Sequence, residues 1–191
     1  MKNEDTARDL SQALGKLEKG GIILYPTDTI WGLGCDATNE DAVKRLFDLK
    51  HRPGAKAMIS LVGSLDCMKN WVKHVPDAAL EEIKSACRPI TVIYDSPFGI
   101  SDLLKAEDGS AAFRIPDYEF TKELCLRFGK PIVSTSANFS GANAPNSFED
   151  IDENILKKVD YICQNGRNRL GNSPSRIIKI SNNGEKIVIR E

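Results

Sequence analysis

Arg176-Ile177-Ile178-Lys179-Ile180-Ser181-Asn182-Asn183-Gly184-Glu185-Lys186-Ile187-Val188-Ile189-Arg190 places an Asn-Asn-Gly turn between two short runs rich in isoleucine and valine. β-branched residues fit a pleated surface, and Asn-Gly accepts the positive φ of a tight hairpin turn. Strands joined by so short a connection run antiparallel. A sheet that contains them is therefore not purely parallel.

Upstream of the hairpin, strand-like and helix-like segments alternate. Ala7, Leu10, Leu14 and Leu17 recur at helical spacing and predict a helix over about Thr6–Glu18, stopped by Gly20-Gly21. Ile22-Ile23-Leu24-Tyr25 reads as a buried strand ended by Pro26. Asn39 is an N-cap for a second helix, with Glu40 and Asp41 in its first turn and Ala42, Val43, Leu46 and Phe47 facing inward. Further strands are expected at Met58–Val62, Thr91–Tyr94, Ser110–Ile115, Pro131–Ser134 and Val159–Cys163. Short helices are expected over Ser64–Val72 and Asp77–Ala86. Asp117 can cap a helix carrying Phe120, Leu124 and Phe128, ended by Gly129 and Pro131. Ser147-x-x-Asp150 resembles a capping box that opens a helix to about Lys158. With no repeat, low-complexity tract or linker, the expectation is a single α/β domain over residues 1–191. Its sheet is twisted, mixed parallel and antiparallel, and flanked by helices.

Composition narrows the function. At 41% hydrophobic and 28% charged residues the chain reads as globular. No apolar run approaches the roughly 20 residues of a membrane span, and neither a signal nor a transit peptide is apparent. Five cysteines (35, 67, 87, 125 and 163), without a Cys-x-x-Cys pair, argue against a disulfide framework or zinc site and suit a reducing, cytoplasmic setting. A formal net charge of −1 argues against gripping RNA through a global field. A P-loop and a Gly-x-Gly-x-x-Gly fingerprint are both missing from the sequence. Two histidines, His51 and His74, make a histidine triad or metal cluster improbable.

Four segments place more polar groups at strand ends than a core needs, and strand exits are where open α/β sheets bind ligands. In Pro26-Thr27-Asp28-Thr29, followed by Gly32, Gly34 and Asp36, hydroxyls and a carboxylate either fix a small polar ligand or cap a sharp turn through Asp28. Lys50, Arg52 and Lys56 converge after the second helix, either as solvated charges or as a polyphosphate site. Arg114, in Ala112-Phe113-Arg114-Ile115-Pro116, is costly to bury without an anion, either a structural carboxylate or that of a ligand. Ser134-Thr135-Ser136-Ala137-Asn138-Phe139-Ser140-Gly141 is either an ordinary polar loop or the lining of a phosphate site.

In this order, Tyr-Pro-Thr-Asp-Thr-x-Trp-Gly-Leu-Gly-Cys-Asp-Ala, Lys-x-Arg-Pro, Arg-x-Pro and Ser-Thr-Ser-Ala-Asn-x-Ser-Gly resemble the threonylcarbamoyl-AMP synthase family, built on a YrdC-like domain. The match runs from about Gly20 to Arg190. The resemblance implies a nucleotidyltransferase that uses L-threonine, bicarbonate and ATP with Mg²⁺ to form L-threonylcarbamoyladenylate and pyrophosphate. Partner proteins then transfer the threonylcarbamoyl group to the adenosine that follows the anticodon in tRNAs reading ANN codons. At most a weak tRNA contact is required of the synthase itself.

Carried over by position, the resemblance implies that Thr29, Arg114, Ser134 and Ser175 contact threonine. It implies that Lys50 and Arg52 serve catalysis, and that Arg52, Lys56, Ser136, Asn138, Ala144 and Arg190 bind ATP. It assigns no protein ligand to a metal, Mg²⁺ arriving on the ATP phosphates. Two stretches depart from the common family pattern: Ala86-Cys87-Arg88-Pro89-Ile90-Thr91 replaces a Trp-Pro-Gly-Pro-x-Thr, and Arg176 follows Ser175 where many members have threonine. The chain resembles the short form that lacks a C-terminal extension. The rival readings are a non-catalytic tRNA- or ribosomal-RNA-binding protein on the same fold, with Lys50, His51, Arg52 and Lys56 as a phosphate patch, and a carbamoyl-transfer activity like that of larger hydrogenase-maturation proteins.

Overall fold

A computed structural model describes residues 2–51 and 58–191. The elements run α1 (Lys2–Leu17), β1 (Ile23–Tyr25), β2 (Gly32–Gly34), α2 (Glu40–Leu49), β3 (Ile59–Leu61), α3 (Leu65–Met68), α4 (Asp77–Ser85) and β4 (Ile90–Tyr94). A 3₁₀ turn at Asp102–Leu104 leads to β5 (Ala111–Arg114), α5 (Glu119–Phe128), β6 (Ile132–Ser136), α6 (Glu153–Leu156), β7 (Tyr161–Ile162), β8 (Arg176–Ile180) and β9 (Lys186–Arg190).

The nine strands form one sheet in the order β7-β1-β2-β6-β3-β5-β4-β8-β9. Three neighbour pairs, β1/β7, β3/β5 and β4/β8, are parallel and the other pairs antiparallel, so the sheet is mixed as expected. The β8–β9 hairpin forms around Gly184, whose φ of 86° supplies the left-handed turn. Asn39 caps α2 by accepting from the Ala42 amide at 3.0 Å.

The register decides where the site lies. Because side chains alternate along a strand, Leu24, Leu33, Val92, Phe113, Val133 and Ile178 face one side and join the main core. The opposite side is covered by α1 and α5 only over part of its width. There Leu10, Ala13, Leu17, Phe120 and Leu124 meet Ile23, Tyr25, Leu61 and Ile132. Two residues beyond Leu61 and Ile132 on that same side, Ile59 and Ser134 pair with one another at the edge of this cluster and border a cavity. The uncovered half of this sheet face is the floor of the candidate site.

Several expectations are corrected. The first helix begins four residues early, its Glu4 and Asp5 complementing the N-terminal dipole. β2 was not expected, since Gly32-Leu33-Gly34 offers one side chain and no alternation to read. Gly34 has to be glycine there: a Cβ would lie 2.5 Å from the Val133 carbonyl and 2.7 Å from the Tyr25 ring. Asp117 caps nothing; the N-cap of α5 is Tyr118, without a side-chain hydrogen bond. The Ser147–Asp150 stretch is a turn in which Asp150 Oδ2 accepts from the Asn146 and Ser147 amides and from Ser147 Oγ. The helix starts later, capped by Asp152.

Candidate active site

Thr27 organises the loop after β1. Its Oγ1 donates to the Ile30 carbonyl at 2.6 Å, accepts from the Thr29 and Ile30 amides, and lies 2.9 Å from Thr29 Oγ1. Of the two readings of this segment, the sharp turn is present, but the Thr27 hydroxyl caps it and Asp28 does not. The loop is pinned from outside as well. Thr121 Oγ1 donates to the Pro26 carbonyl, and Asn172 donates from its amide to Thr29 O at 2.5 Å and from Nδ2 to Asp28 O at 3.2 Å.

Arg114 leaves the end of β5 with 4% of its surface exposed. Its structural anion is Asp28, with Nη2 to Oδ1 at 3.3 Å, while Nη1 donates to Thr29 Oγ1 at 3.3 Å. On the far side of the cavity Arg190 forks onto the Ser175 carbonyl from Nε at 3.0 Å and Nη2 at 2.7 Å. Ser175, fully buried, shares a hydrogen bond with Thr91 Oγ1 at 2.9 Å. Burial, and then the charge of Arg114, push the Arg190 pKa below the usual guanidinium range. Two cations facing one cavity make it receptive to anions.

That cavity holds about 350 Å³ and is lined by Thr29, Arg114, Ser134, Ser136, Ala144, Ser175 and Arg190, seven of the residues singled out from sequence. Thr27, Ile30, Gly32, Met58, Ile59, Thr135, Pro174 and Ile177 complete it. Thr27, Gly32 and Thr135 lie in two of the segments singled out above, whereas Ile30, Met58, Ile59, Pro174 and Ile177 were missed because apolar linings carry no chemical signature.

Lys50 and Asn138 stand behind this lining. Lys50 is 2% exposed, and its Nζ donates to Ser136 O at 2.5 Å, Asn138 O at 2.7 Å and Asn138 Oδ1 at 3.3 Å. Ser136 Oγ donates to Asn138 Oδ1 as well. The ammonium therefore shapes the Ser136–Asn138 loop from below. Chain direction changes right after it, at His51, which adopts a φ of 51°. Arg52 and Lys56 lie outside the described residues.

A second cavity of about 820 Å³ opens beyond Asp28, between the ends of β3 and β5 and the α4–β4 connection. It is larger, yet none of the singled-out substrate residues lines it. Arg88 and Arg176, from the two stretches that depart from the family pattern, meet at Glu191, at 2.5 and 3.2 Å, and Arg176 also pairs with Glu82 at 2.7 Å. Among the described residues no group of three or more His, Cys, Asp or Glu side chains is arranged to hold a metal, and no helix is long and apolar enough to cross a membrane.

The Sua5_yciO_yrdC family, described as telomere recombination, matches residues 15–191. The chain belongs to this family. A threonylcarbamoyl-AMP synthase of Xanthomonas euvesicatoria is 35% identical over 157 residues, covering 81% of this chain and 84% of that protein. Among solved structures of the family, E. coli YciO superposes with a TM-score of 0.83 at 25% identity, over 96% of this chain and 89% of that one. P. abyssi Sua5 complexed with L-threonine superposes with a TM-score of 0.79 at 26% identity, over 90% of this chain and 50% of that longer one.

Proposed function

We propose that this member of the Sua5/YciO/YrdC family is an L-threonylcarbamoyladenylate synthase, a nucleotidyltransferase acting on L-threonine, bicarbonate and Mg-ATP in the cytoplasm. The observation that carries this reading is the convergence of Thr29, Arg114, Ser134 and Ser175 with Ser136, Ala144 and Arg190 on one cavity. The name of the curated relatives and the threonine held by P. abyssi Sua5 support the same reading.

In the proposed reaction Arg114 takes the threonine carboxylate, while Thr29, Ser134 and Ser175 orient the rest of the amino acid. The amine adds to CO₂ formed from bicarbonate and loses a proton, giving a carbamate. A carbamate oxygen attacks the α-phosphorus of ATP, and the bond to pyrophosphate breaks. Arg190 and the Ser136–Asn138 loop, shaped by Lys50, face the nucleotide, to which the family resemblance also assigns Arg52 and Lys56. Mg²⁺ enters with ATP as part of the substrate. Catalysis then rests on positioning and on charge stabilisation, without a protein nucleophile. The product passes to tRNA-modifying transfer proteins. Purified protein given all three substrates releases pyrophosphate, and release equal to a threonine-free control overturns the reading.

A further inference from the structure

Asp28 is buried, 7% exposed, and no mechanistic role has fallen to it. Its two carboxylate oxygens accept no hydrogen bond from any described residue. Among the described residues its ion-pair partner is Arg114, whose Nη2 lies 3.3 Å from Oδ1 but is not aligned as a donor, and Arg114 Nε is likewise without a hydrogen-bond partner. Buried arginine–carboxylate pairs ordinarily satisfy one another through two parallel hydrogen bonds. This pair is held by charge alone.

The other buried aspartates show what a structural role looks like. Asp9 accepts from the Gln164 and Asn165 amides and from Tyr161 Oη. Asp36 accepts from the Thr38 amide and hydroxyl and from Lys130. The Asp28 side chain builds nothing comparable, because its loop is shaped by Thr27, Thr121 and Asn172. What remains is its charge. It sits beside a guanidinium that shares the cavity with Arg190, close enough for the two cations to repel.

We propose that Asp28 is a positioning residue that acts as the resident counter-ion of Arg114. It offsets the Arg114 charge while the cavity is free of substrate, and it thereby weakens the hold of Arg114 on an incoming carboxylate. This inference rests on the threonine-binding reading above. A carboxylate arriving at Arg114 meets a cation that is already balanced, so binding stays moderate and the product can leave. Removing the Asp28 charge leaves Arg114 to the substrate alone.

The test compares threonine with threoninamide, which lacks the carboxylate, by calorimetry on wild-type protein and Asp28→Asn. The expected result is an affinity for threonine about tenfold tighter in Asp28→Asn, from the Coulomb term of one charge several ångströms away. Affinity for threoninamide is unchanged or weaker, the KM for threonine falls without a rise in kcat, and the unliganded variant melts earlier. Asp28→Ser, which leaves no amide to bury, answers the same question if Asp28→Asn does not fold. A folded variant that binds threonine no more tightly than wild type overturns the proposal. So does failure of both variants to fold, which would make the carboxylate a structural requirement. Wild-type protein that binds no threonine would instead sink the functional reading itself.

Discussion

Replacing Lys50 with methionine removes an ammonium from three oxygens of the Ser136–Asn138 loop while keeping the length of the stem. The two shorter contacts, 2.5 and 2.7 Å, are charge-assisted hydrogen bonds to main-chain carbonyls. Such bonds contribute roughly 1.5–3 kcal/mol each, and buried carbonyls left unpaired add their own desolvation cost. With partial relaxation the loss is roughly 3–5 kcal/mol. A domain of this size has about 5–15 kcal/mol to lose, so Lys50→Met folds. Its melting temperature should fall by about 6–20 °C, at about 2–4 °C per kcal/mol for chains of this length. A shift of about 1 Å in Ser136 and Asn138 should also lower turnover roughly 100-fold. Thermal melts followed by circular dichroism, paired with pyrophosphate release, measure both. A melting temperature within about 2 °C of wild type, with only the KM for ATP raised, would refute the reasoning. It would mean that Lys50 serves the nucleotide directly and does not hold the loop.

Two further outcomes follow from the geometry. Gly34→Ala should destabilise by roughly 3 kcal/mol or more in urea titrations, because its Cβ meets backbone at 2.5 Å. Gly32→Ala, whose Cβ would meet only ordinary contacts at 3.5 Å, should keep its stability and instead narrow the cavity and raise the KM for threonine. The Cys35, Cys125 and Cys163 thiols are pushed well up by burial, which disfavours the thiolate, so the reactive form stays scarce even at mildly alkaline pH. A thiol reagent at about pH 8 should therefore label exposed Cys87 first, and Cys87→Ser should abolish the fast phase; labelling of the three buried thiols at the same rate would contradict the packing.

Much of this architecture was legible because it is local. The hairpin around Gly184 and the Asn39 cap are encoded in a few adjacent residues whose backbone preferences agree with the fold. The same holds for the helical stripe of Leu10, Leu14 and Leu17. β2 was not legible, since two glycines around Leu33 carry no pattern, and its strand character comes from pairing with β1 and β6. The Ser147–Asp150 stretch misled because one aspartate can gather three donors in a turn as readily as cap a helix. Within the site, residue types singled out the segments that hold Thr29, Arg114 and Ser134, the family resemblance added Ser175, and the fold brings all four to one cavity. The division of labour did not show: that Thr27 rather than Asp28 shapes the turn, that Asp28 faces Arg114, and that Arg190 reaches Ser175 from β9. The Thr27 turn is local but has two equally plausible cappers, and Arg190 meets Ser175 across the β8–β9 hairpin. The Arg114 contacts depend on strand order, which brings residues 85 positions apart together.

The central claim is that the half-covered sheet face, and not the larger cavity beyond Asp28, is where the amino acid binds. A crystal structure of the protein soaked with L-threonine tests it most directly. The account predicts threonine in the 350 Å³ cavity, its carboxylate on Arg114 and its side chain among Thr29, Ser134 and Ser175. Threonine bound instead in the 820 Å³ cavity, against Arg88 or Lys122, would contradict it.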